Sequence, residues 1–478
     1  MTDLVLLSRI QFAITIMFHY LFPPLTIGLG ALIVYFEGSY LKTRDEILRK
    51  TSDFWIRLFA VNFAMGVSTG IVMEFEFGTN WASYSRFVGD VFGSSLAAEG
   101  IFAFFLESGF LAVMVFGRGK VGPKFYFMAT ILVSIGSVFS SIWITVANSW
   151  MQTPAGHHIV PIIRNGEPWV VDGVRMMRAE VVDFWSVVFN PATVPRLLHV
   201  WVGCLVLGAS FVASISAWSI LRNRRLEISK RSLNVAVVAG LIGSVGTLAT
   251  GHLDGRMVGR RQPAKLAAME GHFTSHNRPT GIHVFGVPNP SAERVDYAVK
   301  IPGLLSTLVY DEIPPRTPVI ALDRFPKADR PPVFITFLAF HIMVGLGMFL
   351  IGIFTMSVIS LWRGKLDRSR KLLWLLVPTV LAAFASNELG WVTAEVGRQP
   401  WIVYPRYDGG RFDRPVDGMR TSEAVSKAVR SEQVLASIIL FILIYLILFV
   451  VWLYVMDGKI RGAGESTTEK PTDPPNDA

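Results

Sequence analysis

Long apolar stretches alternate with short polar ones along most of this chain. Runs of at least ~20 apolar residues signal bilayer-spanning helices, and they fall at roughly 10–36, 53–78, 91–117, 124–150, 192–221, 232–251, 332–361, 372–400 and 431–456. The pattern predicts an all-α integral membrane protein, with about nine transmembrane helices in a bundle. The implied organisation is helices one to six over 1–251, a polar loop domain over 252–331, helices seven to nine over 332–456, and a Pro-rich disordered tail over 457–478. Segments 151–190 and 401–430 are also long, and unstructured loops of such length are uncommon unless they have a task.

The short polar stretches are not alike in charge. One set holds Lys42, Arg44, Arg49 and Lys50; Arg118, Lys120 and Lys124; Arg222, Arg224, Arg225, Lys230 and Arg231; and Arg363, Lys365, Arg368, Arg370 and Lys371. These are alternate loops, and loops dense in positive charge face the cytoplasm. The N-terminus is then periplasmic and the C-terminus cytoplasmic.

Composition sharpens this reading. Of 478 residues, 51% are hydrophobic and only 17% charged, against about a quarter charged in soluble proteins. The net charge of +9 is explained by topology, so no nucleic-acid partner is implied. Cys204 is the single cysteine, which excludes an internal disulfide, a CxxC zinc pair and a CxxCH covalent haem attachment. The first apolar run is too long for a signal-peptide core and has no basic n-region, so it stays as a helix.

Seven side chains inside the runs are polar or able to bind metal: His19, Glu74, Glu99, Glu107, His199, Met343 and Glu395. Ionisable groups at membrane depth are costly and functional by default. With the orientation above, His19 and Glu99 lie ~13 Å in from the outer face at 1.5 Å per residue. His199 is at a similar depth and Met343 slightly deeper, while Glu74 and Glu395 precede outward exits. Glu107 lies two turns below Glu99. Each residue alone has an ordinary reading as a helix contact or core filler, but six on six helices sharing one layer point to bound cofactors. Imidazole with thioether is an axial pair for an electron-transfer haem, and His or carboxylate with an open opposite face suits an oxygen-binding iron.

Several segments are more specific. SRIQFAITIMFHYLFPPLTIG (8–28), MEFEFGTNW (73–81), AAEGIFAFFLESGF (97–110), ANSWMQTP (147–154) and GWVTAEVGRQPW (390–401) resemble subunit I of the cytochrome bd-type quinol oxidases, in order and along essentially the whole chain. The resemblance implies a terminal respiratory oxidase of the bacterial inner membrane. It takes electrons from membrane quinol and reduces O2 to water, with a low-spin haem b, a high-spin haem b and a haem d. It implies a second large membrane subunit and often single-helix accessory chains. Carried onto matching positions, His199 and Met343 resemble the low-spin ligands. His19 resembles the ligand of one high-spin haem, with Glu99 as a second ligand, and Glu395 that of the other, with Trp391 nearby. Which of the two holds haem d stays open. Arg9 and Arg398 are candidates to pair with haem propionates.

KLAAMEGHF at 265–273 places Lys265 and Glu270 as in the family's quinol-binding pair, in a loop of the short type. The spacing of His252, His272, His276 and His283 matches no standard metal site. One departure is His341, two residues before Met343, where many relatives carry Arg. Coupling would draw protons from the cytoplasm through Glu107, with Ser108, Ser140 and Ser141 as partners. The competing readings are a haem-b quinone-linked carrier without oxygen chemistry, and a transporter. The absence of an internal repeat speaks against a transporter.

Overall fold

The computed structural model describes residues 3–101, 105–171, 173–407 and 411–462; the expected tail beyond 462 lies outside them. Among the described residues, eight helical segments are long and apolar enough to cross a membrane. The first span is α1 (Leu4–Tyr20) continued by α2 (Phe22–Thr43), and α3 is Glu46–Gly78. Pro23 and Pro24 sit at the start of α2, where a missing N–H costs least. The expected third span takes the form of α4 (Ala82–Glu99) and α5 (Phe105–Phe116), with 102–104 outside the described residues. The others are α6 (Pro123–Gln152), α8 (Thr193–Leu221), α9 (Leu226–Arg261), α12 (Val333–Trp362), α13 (Arg370–Leu376) with α14 (Thr379–Val396), and α16 (Ser431–Arg461).

Two boundaries depart from the sequence reading for physical reasons. Helix α9 runs to Arg261 rather than 251. The stretch 252–261 is polar but holds no Pro until Pro263, so the helix continues after its apolar run ends. The eighth run is broken at Val377–Pro378 between α13 and α14. The Ser214 hydroxyl donates to the Val377 carbonyl at 2.6 Å, which satisfies a backbone group that lipid could not.

The core lies where α2, α3, α8 and α9 meet. Phe22, Leu25, Leu29, Ile33 and Phe36 of α2 pack with Trp55 and Phe59 of α3 and Leu207 and Val212 of α8, all almost fully buried. Gly28 and Gly208 let α2 and α8 touch backbone to backbone. A Cβ on Gly28 would stand 1.9 Å from the Cys204 carbonyl oxygen. Small residues at such crossings are how membrane helices gain contact without a hydrophobic drive.

The long connections cover one end of the bundle. Segment 153–192 holds an antiparallel pair, His157–Pro161 with Met177–Val181, and the short α7 (Phe184–Val188). Segment 262–332 holds α10 (Pro263–Met269), the hairpin Ile282–Asn289/Arg294–Ile301 and α11 (Leu304–Tyr310). The last carries the pair Trp401–Val403/Met419–Arg420 and α15 (Thr421–Ala424). The short basic loops lie at the other end.

Candidate redox centre

His19 and His199 are held in the same way by different helices. His19 on α1 places Nδ1 2.9 Å from Thr69 Oγ1 on α3. His199 on α8 places Nδ1 3.1 Å from Thr250 Oγ1 on α9. Each threonine hydroxyl donates to the carbonyl one turn back, Met65 or Gly246, at 2.8 Å. The hydroxyl hydrogen is thereby used, so Nδ1–H of each imidazole donates to the threonine and Nε2 keeps its lone pair. No hydrogen bond engages either Nε2 among the described residues. In both places the residue after the threonine is glycine. A Cβ on Gly70 would stand 3.2 Å from His19 Cε1, and one on Gly251 3.3 Å from His199 Cε1. Fixing the far nitrogen and leaving Nε2 open is how a protein prepares a metal ligand.

Met343 on α12 points its sulfur at α14, 3.1 Å from where a Cβ on Gly390 would sit. Gly203, a turn along α8 from His199, faces Asn387 of α14. Adjacent turns of α14 therefore meet the turn that follows His199 and the thioether. Among the described residues no three His, Cys, Asp or Glu gather as a free-ion site. Histidines standing singly suit axial ligation of a metal already held in a macrocycle, so the donor set fits haem.

Glu395 is enclosed by donors. Asn148 Nδ2 donates to Oε1 at 3.0 Å, Gln152 Nε2 to the same oxygen at 3.4 Å, and Arg398 pairs with Oε2. Arg398 is 3% exposed, and its Nε and Nη1 are buried without a partner among the described residues. Two unspent donors on a buried guanidinium fit a propionate carboxylate. Trp391 lies one turn before Glu395 and is partly buried; Arg9 is partly buried on α1.

Lys265 is not a solvated loop residue. It is 4% exposed, and its Nζ donates to Gln152 Oε1 at 2.8 Å and Gln262 Oε1 at 3.2 Å. Gln262 Nε2 also donates to Gln152 Oε1 at 2.8 Å. A single amide, Gln152, thus joins the Lys265 loop to Glu395. Burial, then Arg196, draws the Lys265 ammonium down to about 7. Glu270 is 2% exposed with Oε2 unpartnered, and burial raises its carboxyl to about 8. Its backbone carbonyl accepts from His283 Nδ1 at 2.6 Å, and the His283 carbonyl lies 2.7 Å from His341 Nε2. His341 ties α12 to the hairpin beside Glu270.

Glu99 and Glu107 both reach α6. Ser140 donates to Glu99 at 2.7 Å and Ser137 donates to Glu107 at 3.1 Å, and the two serines are one turn apart. Ser141 instead accepts from Trp201 Nε1 at 2.9 Å. Glu74 lies on the exposed face of α3 with exposed Ile71 and Phe75, near enough to Glu99 for the two charges to interact. Thr69, Thr250, Gln152, Gln262 and Ser137 were not foreseen. The Thr-Gly pairs at 69–70 and 250–251 are the sequence signal that could have marked the first two.

These features fit a membrane-embedded redox protein whose lone imidazoles suit haem ligation. The family is shown by comparison: a family model described as cytochrome bd terminal oxidase subunit I matches residues 7–463, and the chain belongs to that family. Cytochrome bd ubiquinol oxidase subunit 1 of Bacillus subtilis is 37% identical over 92% of this chain and 90% of its own length. Cytochrome bd-II ubiquinol oxidase subunit 1 of Escherichia coli is 32% identical over 99% of both. The solved bd oxidase of Geobacillus thermodenitrificans superposes with a TM-score of 0.83 at 29% identity, over 96% of this chain and 99% of that one. The chain is a multi-pass subunit of a terminal respiratory oxidase in the bacterial cytoplasmic membrane.

Proposed function

We propose that this chain oxidises membrane quinol at Lys265 and Glu270 and passes the electrons to haems that reduce O2 to water. The matched clamps on His19 and His199, each with Nε2 open, carry the reading. His199 with Met343 holds a low-spin haem b. His19, with Glu99, and Glu395 hold a high-spin pair, one haem b and one haem d. When bound, the haems supply electron transfer and oxygen activation. Arg398, with its two spare donors, orients a propionate, and Arg9 serves a second.

Glu270 accepts a proton as quinol is oxidised, and a carboxyl near 8 suits that task at neutral pH. Lys265 positions the head group and, through Gln152, links that site to Glu395. Quinol protons leave on the periplasmic side, where the long connections lie. Protons for water enter from the basic end through Glu107, Ser137, Ser140 and Glu99. Two quinols reduce one O2 to two waters, so charge crosses the membrane without a pump. A second large subunit covers the face of α3 that exposes Glu74, Ile71 and Phe75, and single-helix accessory chains complete the assembly.

Haem extraction and the reduced-minus-oxidised spectrum of the purified complex test this. Three haems per chain are expected, with a chlorin band at the red end that CO shifts. Fewer than three, with no response to CO, overturns the assignment.

A further inference from the structure

Helix α8 ends at Leu221 and α9 begins at Leu226 after a tight turn in which Asn223 and Arg225 have positive φ. The facing wall is the turn Leu366–Arg368 and the first residue of α13. Between them lies a cavity of about 350 Å³. It is at the end of the bundle whose basic loops assign it to the cytoplasm.

Its lining is amphipathic. The rim carries Lys230, Arg368 and Arg370 against one carboxylate, Asp367. Lys230 Nζ pairs with Asp367 Oδ2 at 3.0 Å. Among the described residues neither Arg368 nor Arg370 makes an ion pair, so two cations face the opening unneutralised. A small apolar floor is left by Ile220 and Leu373 of the main core, with Leu226 at the edge. Trp362 and Trp374 are exposed at 80% and 54% in the adjoining helices α12 and α13. Exposed tryptophans at helix ends mark the depth of lipid head groups.

We propose that this cavity holds the head group of an anionic phospholipid. Arg368 and Arg370 meet the phosphate, and the apolar floor receives the glycerol and first methylenes. Basic pockets between helices on the cytoplasmic side bind such lipids. The head-group depth marked by the exposed tryptophans favours a lipid over free phosphate, which calls for converging donors rather than a rim of them.

Native mass spectrometry of the purified oxidase complex in mild detergent reads the site. One phosphatidylglycerol or cardiolipin is expected to stay with each complex. In R368Q/R370Q its retention falls about thirtyfold, as expected for two cations near the membrane surface, while R368K/R370K keeps it. K120Q, which removes a cation from another loop at the same end, behaves as wild type. Full retention in R368Q/R370Q overturns the proposal. So does equal loss in K120Q, which would mean general surface charge. A second measurement stands even if the double variant does not assemble: thermal stability of delipidated wild-type complex after add-back. Phosphatidylglycerol is expected to restore it, and phosphatidylcholine and inorganic phosphate are not. Restoration by inorganic phosphate would mark a free-anion site, and no preference for phosphatidylglycerol over phosphatidylcholine would mark no site; either overturns the lipid reading.

Discussion

The two histidine clamps and the Glu395 cluster lie in the same half of the bundle and are built on opposite plans. Each imidazole is held through a threonine hydroxyl on a neighbouring helix, His199 with the Thr247 carbonyl beside it as well, and Nε2 is left open. Glu395 has both oxygens engaged by Asn148, Gln152 and Arg398. The difference follows from charge. A neutral imidazole in an apolar environment needs only its one N–H satisfied, whereas an ionised carboxylate there is expensive unless several donors meet it. The protein therefore spends one hydroxyl on each histidine and two amides plus a guanidinium on the glutamate.

The widest separation between the two plans is expected on removing a ligand. H199A should lose one haem per chain and bring quinol-driven oxygen uptake to background, since Met343 alone would be left to hold that haem. Pyridine haemochrome analysis of the purified complex checks the count. A full complement of haem in H199A would dissolve the contrast, because the open nitrogen would then hold nothing.

The next effect falls on stability. R398Q strips the paired guanidinium from largely buried Glu395, leaving the longer-range charges of Arg196 and Lys265, and breaking a buried pair on one side costs about 3–5 kcal/mol. Thermal unfolding of the complex reads this. T69V, which removes one neutral hydrogen bond, should cost only about 1 kcal/mol. Equal losses in R398Q and T69V would show that the two plans do not differ in kind.

Much of this centre was legible beforehand, and what was not has a common cause. The spans follow from apolar runs, and His19, His199, Met343 and Glu395 stand out because such groups are rare at membrane depth. Thr69 and Thr250 do not, since threonine in a helix ordinarily bonds its own i−4 carbonyl; both do so here. Only the helix packing shows the second lone pair being used. Gln152 was quoted within a family motif but had no chemistry until the fold brought α10 beneath it. The extent of α9 was missed because polarity marks where lipid ends, not where a helix ends. Ser137 was passed over for Ser141 because both lie near Ser140, and only the rotation of α6 decides between them.

A finer test compares the clamps with each other. T250V and T69V keep each ligand but free its Nδ1–H, and loss of such an outer partner costs about 10–100-fold in metal affinity or activity. Potentiometric titration should show the midpoint of the low-spin haem moving in T250V while T69V leaves it in place. Equal shifts of that haem in both variants would mean that His19 and His199 do not serve separate centres.

The smallest effect separates Glu395 from a carboxylate built the other way. Glu270, outside the bilayer, is more buried than Glu395, 2% exposed against 12%, and has one oxygen without a partner among the described residues. Burial alone acts on it and raises it from 4.5 to about 8. Folding therefore holds its proton between those values. The resulting stability is fully present below about 4.5 and is lost as pH rises through about 8. Its value as a base runs the other way: the ionised form grows with pH, so kcat/KM for quinol should climb about tenfold per pH unit below the carboxyl's midpoint and level off above it. E270Q should abolish that limb and flatten the decline of thermal stability toward pH 8, while Gln152 and Lys265 keep haem content normal. An unchanged pH profile in E270Q would leave Glu270 a buried structural acid, and the proton acceptor for quinol would then have to be sought at Lys265, whose ammonium falls to about 7.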